Sequence, residues 1–529
     1  MLINFFHSRR WLIHLLNLLL IFVYAFYINK ISGNYGVIPV DSFGHFDTSY
    51  LINKNIFPIR DYWMNTGFLI NFIQSFFFYF FGTNWQSYVL HASFFNALIA
   101  FSSYLFFINL KINCKYSFIY AVCVATLFYP TIGTPSEYFH SSIFSLISIY
   151  SFIICYLEKS KLLACLIPIF ILIGFLCAQI PSAYTGVLII FSFLSISFKE
   201  KKLFFFFLLG SALALILLLL LLIITKIQFI DFLYQHILFP MSIGGSRFLN
   251  ESNALSSVSN ITLDRILFDF KFIYVFWIPL LIITLKNILS KQIVNHKKNF
   301  INIFFLLSVI LFIFYQLTTN NQIFIYFLIP ITAAVLHYNL NVFNIGNKIN
   351  FLFFLLIIFS TLKYAHRNII EKRFNEFQWT DMSVFIDANE ISPQLDGLKW
   401  VTPLNWGLSH DVKKEVEIIK KLKNLMKSDN RNKVIMTNFQ LFSIISNNKV
   451  FYTQHAFFQN ATNPDENSKF YQYYSHKYNE FLEKNNIEVI YFIDVEKSFF
   501  KKIIKKVCEE GKMNIHEYEI YFIEINKCK

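Results

Sequence analysis

Long apolar runs alternate with short polar segments through the first two thirds of the chain. A bilayer core about 30 Å thick needs roughly 20 apolar residues per helix. We predict eleven membrane-spanning helices, at 11–27, 86–109, 116–133, 138–157, 162–180, 182–198, 203–225, 270–285, 300–318, 321–339 and 349–364. The first run follows two arginines and has no small-residue cleavage site after it. We therefore interpret it as a retained span and not as a signal peptide.

The run at 67–81 is ambiguous, because it has only fifteen residues and contains Asn71 and Gln74. That length is typical of a helix that lies at the interface or re-enters from it. If it does not span, fourteen of the 22 basic residues in 1–364 lie inside and eight of the ten acidic residues lie outside, as the positive-inside rule requires. We therefore predict an inside N-terminus, long outer loops at 31–85 and 226–269, and an outside C-terminal region.

The pattern changes after residue 364, where polar and charged residues become frequent. Segments with apolar residues at helical spacing then alternate with short apolar runs that are typical of buried strands. We predict helices at 413–427, 469–485 and 496–511 and strands at 433–439, 488–494 and 515–525. Such alternation is typical of a small α/β domain. The predicted fold class is thus a polytopic α-helical membrane domain, 1–364, followed by a soluble extracytoplasmic α/β domain, 365–529. Whether that second domain recognises a ligand or is a mere appendage stays open.

Composition narrows the class of protein. Of 529 residues, 56% are hydrophobic and only 15% are charged, against about 25% charged in soluble chains. The net charge of +14 would suit nucleic acid, but residues 1–364 carry +12 of it among apolar runs, where it indicates membrane topology. We expect no nucleic-acid partner. The seven cysteines form no C-x-x-C pair, and Cys508 and Cys528 would pair only in an oxidising compartment.

Candidate chemistry is densest in residues 36–67. Asp41 precedes a helical pattern and suits an N-cap, which would hold its carboxylate at the membrane boundary. His45 follows four residues later and would share a helix face with Asp41, although a lone histidine there is more often a packing residue. Arg60 and Asp61 follow a proline, and a local surface ion pair is their simplest interpretation.

Residues 36–110 resemble the start of membrane glycosyltransferases of the C-type superfamily, the group of protein mannosyltransferases and the lipid A aminoarabinose transferase. The shared pattern is an acidic residue early in the first outer loop, a Pro-x-x-Asp stretch, a glycine before a juxtamembrane helix, and a Phe-Gly-x-Asn turn. In this sequence these elements are Asp41, 58–61, Gly67 and 81–84. Many relatives have a second acid after the first; here that position is Ser42, which weakens a metal-chelate interpretation of the pair.

The resemblance continues more loosely to about residue 350. Glu137 lies where relatives place a second acid, and His140 follows it by three residues. Gln179 lies in a segment similar to a Lys-Gln-x-x-Gly motif, with Ala178 in place of the lysine. Arg247 belongs to a segment similar to an outer-loop Phe-Pro…Gly-x-Arg-Phe element.

The resemblance implies an inverting enzyme of a bacterial inner membrane that moves a sugar from a polyprenyl-phosphate donor to a cell-envelope acceptor. Asp41 would take the acceptor proton, because desolvation raises a carboxylate pKa into a range useful for a base, and Glu137 would be the second catalytic acid. An arginine fork would stabilise the departing phosphate. The residues expected to bind substrate or phosphate are His45, Arg60, Asp61, His140, Gln179 and Arg247.

Several alternatives stay open at this stage. A divalent cation shared by Asp41 and Glu137 is one of them. The identity of the sugar is another, as is the acceptor, which could be lipid A, a polysaccharide, a protein or another lipid. The competing function is a non-catalytic carrier, flippase or polymerase component for lipid-linked saccharides. A flippase would be expected to place ionisable residues within its spans, whereas the acids of this sequence avoid them.

Overall fold

The computed structural model describes residues 11–248, 261–289, 296–319, 323–341, 347–446, 449–457, 462–495, 497–504, 507–515 and 518–525. The side chains of 246–248, 341, 347–350 and 499 lie outside that description. All structural statements below concern the described residues.

The first 365 residues fold as helices joined by short connections. Their bounds are α1 Trp11–Gly33, α2 Pro39–Phe43, α3 Phe46–Ile52, α4 Leu69–Phe81, α5 Trp85–Asn109, α6 Cys114–Leu127, α7 Glu137–Glu158, α8 Lys161–Cys177, α9 Gln179–Ile196, α10 Lys201–Thr225, α11 Phe229–Phe232, α12 Phe239–Phe248, α13 Lys271–Leu289, α14 His296–Thr318, α15 Leu328–Asn341 and α16 Asn347–Ala365. Many apolar side chains of α1 and α10 face outward, as lipid-facing helices require.

Within the described residues, eight helical segments are long and apolar enough to cross a membrane. They are α1, α5, α7, α9, α10, α13, α14 and Phe351–Asn375. The predicted spans at 116–133, 162–180 and 321–339 correspond to the shorter helices α6, α8 and α15, of 14, 17 and 14 residues. The chain is therefore a polytopic helical protein, while the count of eleven spans stays a prediction. The ambiguous run forms α4, a 13-residue helix about 20 Å long.

The C-terminal region contains a two-stranded and a five-stranded sheet. The strands are β1 Ile386–Asp387, β2 Lys399–Trp400, β3 Lys433–Met436, β4 Val450–Phe451, β5 Val489–Phe492, β6 Glu509–Ile515 and β7 Tyr518–Glu524. The larger sheet has the order β4-β3-β5-β7-β6, parallel at β4-β3-β5 and antiparallel beyond. The helices are α17 Val412–Ser428, α18 Phe442–Ser446, α19 Tyr471–Lys484 and α20 Lys497–Ile503.

The predicted helices and strands of this region agree with the observed ones except at 496–511. That segment is helical only over α20, and its end begins β6. Exposed and half-buried positions alternate from Glu510 to Ile515, the two-residue period of an edge strand. When only the sequence is known, the charged residues at the exposed positions of an edge strand are easily mistaken for the polar residues of a helix.

The two parts of the chain are held together by buried polar contacts. The carboxylate of Asp47 in α3 accepts hydrogen bonds from the backbone N–H groups of Ser443 (3.0 Å) and Ile444 (3.1 Å), which open α18. Trp63 donates its indole N–H to the carbonyl of Thr462 at 2.7 Å. Because the carboxyl ends of β3 and β4 lead into these contacts, that end of the sheet faces the helical part of the chain.

Candidate functional site

Two histidines and one glutamate from three distant segments meet where the helical part contacts the sheet. His45 precedes α3, Glu137 begins α7, and His455 follows β4. The Nε2 atom of His45 lies 2.8 Å from one oxygen of Glu137, and the Nε2 atom of His455 lies 3.9 Å from the other. The donor atoms all lie within 4.8 Å of one another. We call these three residues the outer cluster.

A glycine lets the sheet domain approach so closely. The rings of His45 and His455 stack with centroids 4.7 Å apart, and Gly44 lies beside them. A Cβ atom built on Gly44 would overlap the ring of His455. Any larger residue at position 44 would therefore push the second histidine away from the carboxylate.

Neighbouring oxygens fix the orientation of both rings. The Nδ1 atom of His45 lies 2.7 Å from Asn71 Oδ1, and the Nδ1 atom of His455 lies 3.1 Å from the carbonyl of Gly44. With Asn71 in this orientation, both oxygens can only accept, so each Nδ1 carries a proton. Each Nε2 atom then faces the same carboxylate, where a proton or a metal ion on the nitrogen would balance the charge of Glu137.

Asp41 lies beside the outer cluster in the middle of α2, so it is not the N-cap that the sequence suggested; Ile38 occupies that position. Its side chain is reached by solvent, yet protein encloses it. The pKa of Asp41 is raised to about 7, mainly because surrounding protein displaces water; the charge of Glu137 contributes to the rise and His455 opposes it. No described residue donates a hydrogen bond to this carboxylate, which leaves it open to a ligand.

A second pair of histidines lies within the helical part, and we call it the inner pair. His91 in α5 and His140 in α7 are fully buried, and their Nε2 atoms are 2.9 Å apart. The Nδ1 atom of His91 lies 2.8 Å from Gln74 Oε1, and the Nδ1 atom of His140 lies 2.5 Å from the hydroxyl of Tyr129. His140 is thus near the site as predicted, one turn beyond Glu137, but it faces another histidine.

Arg60 and Asp61 are not part of the outer cluster. The Nε atom of Arg60 donates to Asp61 at 2.8 Å, which confirms the local ion pair. Arg60 also donates to the carbonyl of Thr225 at 3.3 Å, and Lys484 of the sheet domain donates to Asp61 at 2.6 Å. Both residues predicted to bind substrate therefore hold the sheet domain and the end of α10 in place.

Gln179 also has a structural environment. Its amide nitrogen donates to the backbone carbonyls of Asn65 (3.1 Å) and His236 (3.0 Å), so it joins the start of α9 to two other segments. A Cβ atom at the neighbouring Gly67 would overlap the carbonyl of Cys177, which explains the glycine before α4. Arg247 lies in α12, but its side chain is outside the described residues.

Sequence reasoning missed His455, Asp47 as a docking residue, and His91. His455 lies 410 positions from His45 along the chain, and no local motif connects them. The only available signal is positional: His455 follows a short parallel strand, and the carboxyl ends of parallel strands are where α/β domains place functional residues.

Comparison with known proteins gives no further identification. No family model matches the sequence, and no curated protein matches it.

Proposed function

We propose that this chain is a membrane glycosyltransferase that moves a sugar from a polyprenyl-phosphate donor to an acceptor at the outer membrane surface, with Asp41 as the base. The observation that carries the proposal is the Asp41 carboxylate, which is reached by solvent, accepts no hydrogen bond from a described residue and lies beyond the end of α1. A carboxylate in that setting can accept a hydroxyl proton near neutral pH.

The surroundings of Asp41 suit a donor that is anchored in lipid. The site lies beyond the end of α1, a helix whose apolar side chains are largely exposed, so an isoprenoid chain in the bilayer would bring its phosphate to this level. Glu137 would hold the side chains of His45 and His455 in place. Arg60 pairs with Asp61, so the proposal assigns no cation to the departing phosphate.

The outer location of the sheet domain is part of the proposal. Cys508 in that domain is disulfide-bonded, and disulfides persist in oxidising compartments such as the bacterial periplasm. We therefore place the sheet domain, Asp41 and the outer cluster on the extracytoplasmic side of a bacterial inner membrane.

The test is turnover of a defined donor by purified protein. Wild type and Asp41→Asn are supplied with polyprenyl-phosphate sugars and a cell-envelope extract as acceptor, and release of polyprenyl phosphate is measured. Asp41→Asn preserves size and removes the base, so we expect a loss of about 100-fold or more. Asp264→Asn changes an exposed acid before α13 and is the matched control. Equal turnover by Asp41→Asn and wild type would remove Asp41 from the mechanism.

One observation favours the alternative function, a carrier for lipid-linked saccharides. Ionisable residues buried within spans mark transport and proton pathways, and the inner pair lies within α5 and α7. Reconstituted vesicles distinguish the two functions: a carrier moves a fluorescent lipid-linked saccharide across the bilayer without releasing polyprenyl phosphate, and His140→Phe abolishes the movement while Asp41→Asn does not.

A further inference from the structure

We propose that His45, Glu137 and His455 bind one zinc ion, and that this ion ties the sheet domain to the helical part of the chain. The proposal is independent of sugar transfer, because it concerns only what the outer cluster binds. It rests on four features of the site: the spacing of the donor atoms, the orientation of the rings, the charge balance and the number of protein ligands.

The donor atoms are spaced for a single small ion. Bonds of about 2.0–2.1 Å in a tetrahedral zinc site place ligand atoms roughly 3.3 Å apart. The Nε2 atoms of His45 and His455 lie 2.8 Å and 3.9 Å from the two different oxygens of Glu137, and the three donor atoms lie within 4.8 Å of one another. Side-chain shifts of about an ångström would therefore complete the coordination.

Both histidines make the hydrogen bond that orients histidine ligands in zinc sites. A histidine that binds a metal through one ring nitrogen almost always donates its other N–H to a carbonyl or carboxylate, which fixes the ring and its tautomer. His45 does so to Asn71 and His455 does so to the backbone of Gly44. All three ligand residues are buried or nearly so, with at most 10% of each side chain exposed.

One divalent ion serves both rings and the carboxylate, whereas a single proton serves only one ring. Protonating both rings would satisfy the carboxylate but would place two imidazolium ions face to face, with centroids 4.7 Å apart. A single ion between the Nε2 atoms satisfies both lone pairs and the carboxylate together. Imidazole ligands suit zinc and related transition metals, whereas magnesium and calcium prefer an all-oxygen shell.

The cluster supplies three protein ligands, which leaves a fourth tetrahedral position for water or a substrate oxygen, as in catalytic zinc sites. Two ligands come from the helical part and one from the sheet domain, so binding must stabilise the contact between them. Metal binding and folding free energy are linked in this way whenever the unfolded state lacks the site.

The experiment uses the full chain without a histidine tag, treated with a chelator and then titrated with Zn²⁺ alone. We expect one high-affinity zinc per chain by elemental analysis and a higher melting temperature with zinc. His455→Ala should weaken binding by about 100-fold or more, since even an outer-shell change costs about 10- to 100-fold. His476→Ala, an exposed histidine of the same domain, is the matched control and should bind zinc like wild type.

A second variant covers the case in which His455→Ala fails to fold. Glu137→Gln keeps the size of the side chain and removes the charge, and it should also lose the zinc-dependent stabilisation. Equal zinc content in wild type and in either folded variant would overturn the proposal. An equal shift in melting temperature with Mg²⁺ would overturn it as well, because it would show oxygen-only coordination. Enzyme activity enters none of these measurements, so failure here leaves the role of Asp41 unaffected.

Discussion

The outer cluster and the inner pair each bring two imidazole rings together, but they balance charge differently. In the inner pair one neutral arrangement satisfies every ring nitrogen: Tyr129 donates to His140, His140 donates to His91, and His91 donates to Gln74. In the outer cluster both Nδ1 atoms donate their protons to oxygens, and the Nε2 atoms of both rings face one carboxylate. Two histidines that face each other need one proton, whereas two that face a carboxylate need a cation.

This contrast assigns different tasks to the two sites. In the inner pair every ring nitrogen has a partner, and such a polar network in a low-dielectric region stabilises one packing of α5 against α7. An unbalanced group of ligands at a domain contact is a binding site. The same residue type therefore indicates packing in one place and ligand chemistry in the other, and only the partners of the nitrogens distinguish them.

The largest expected effect is on the pH dependence of turnover, which only the outer site should control. Asp41 must be ionised to act as a base, and its pKa is raised to about 7, so in chelator the rate should fall about tenfold per pH unit below 7. Adding zinc should move this limb to lower pH, because the ion neutralises Glu137, whose charge helps raise that pKa. Initial rates from pH 5 to 9 measure the limb.

The inner variant His140→Phe is the control for this profile and should leave the position of the limb unchanged. Asp41→Glu and added zinc should each move the limb. A limb that stays in place under both changes would contradict the assignment of that pKa to Asp41. The same raised pKa has a consequence for stability: folded Asp41 holds its proton more tightly than the unfolded chain does, so its contribution to stability falls as pH rises from about 4 to about 7.

The next effect is on the free energy of unfolding, which variants of the two sites should change in different ways. His140→Phe leaves the buried Nε2 atom of His91 without its partner, while the Tyr129 hydroxyl keeps its contacts with the backbone of Ser136. We expect a loss of about 1–3 kcal/mol in the free energy of unfolding. Zinc and chelator should not alter that loss. His455→Phe should instead lose more stability in zinc than in chelator. Thermal unfolding in both conditions provides the measurement, and a zinc-dependent loss in His140→Phe would erase the distinction between the sites.

A smaller effect concerns the docking contact that positions His455. Asp47 is fully buried, and its carboxylate accepts from two backbone N–H groups of α18. Asp47→Asn replaces one accepting oxygen by a donor that faces an N–H, so we expect a cost of about 1–3 kcal/mol. Hydrogen exchange of the Ser443 and Ile444 amides should accelerate, while those of β5 stay protected. Unchanged exchange at α18 would show that the two parts are held by other contacts.

The sequence predicts the helical elements well because their signal is local. Apolar runs of about 20 residues and the alternation in the second part require no knowledge of distant partners, and the helix at 413–427 appears as Val412–Ser428. The failure at 496–511 is also local, because a charged edge strand and a polar helix share composition.

The site was only half predictable. His45 was selected from its spacing to Asp41 and Glu137 through the resemblance, and the structure brings the two side chains to 2.8 Å. The position of the Arg60–Asp61 pair could not be foreseen, because Thr225, which contacts Arg60, and Lys484, which contacts Asp61, come from distant segments. His455 is supplied by a domain whose docking depends on buried contacts such as that of Asp47. Pairing across such separations is a property of tertiary packing, which sequence periodicity does not encode.

The smallest expected effect is at the rim of the same domain contact. Lys484 pairs with Asp61 at 2.6 Å, but its side chain is 59% exposed, so solvent and salt screen the attraction and the pair contributes up to about 0.5 kcal/mol. Asp61 keeps its bonds to Arg60 and to the backbone N–H of Phe57 when the lysine is removed. Lys484→Ala should therefore leave zinc affinity unchanged and lower the melting temperature only slightly, by an amount that vanishes in high salt. A loss of zinc binding in this variant would show that the rim, and not the buried Asp47 contact, holds His455 in place.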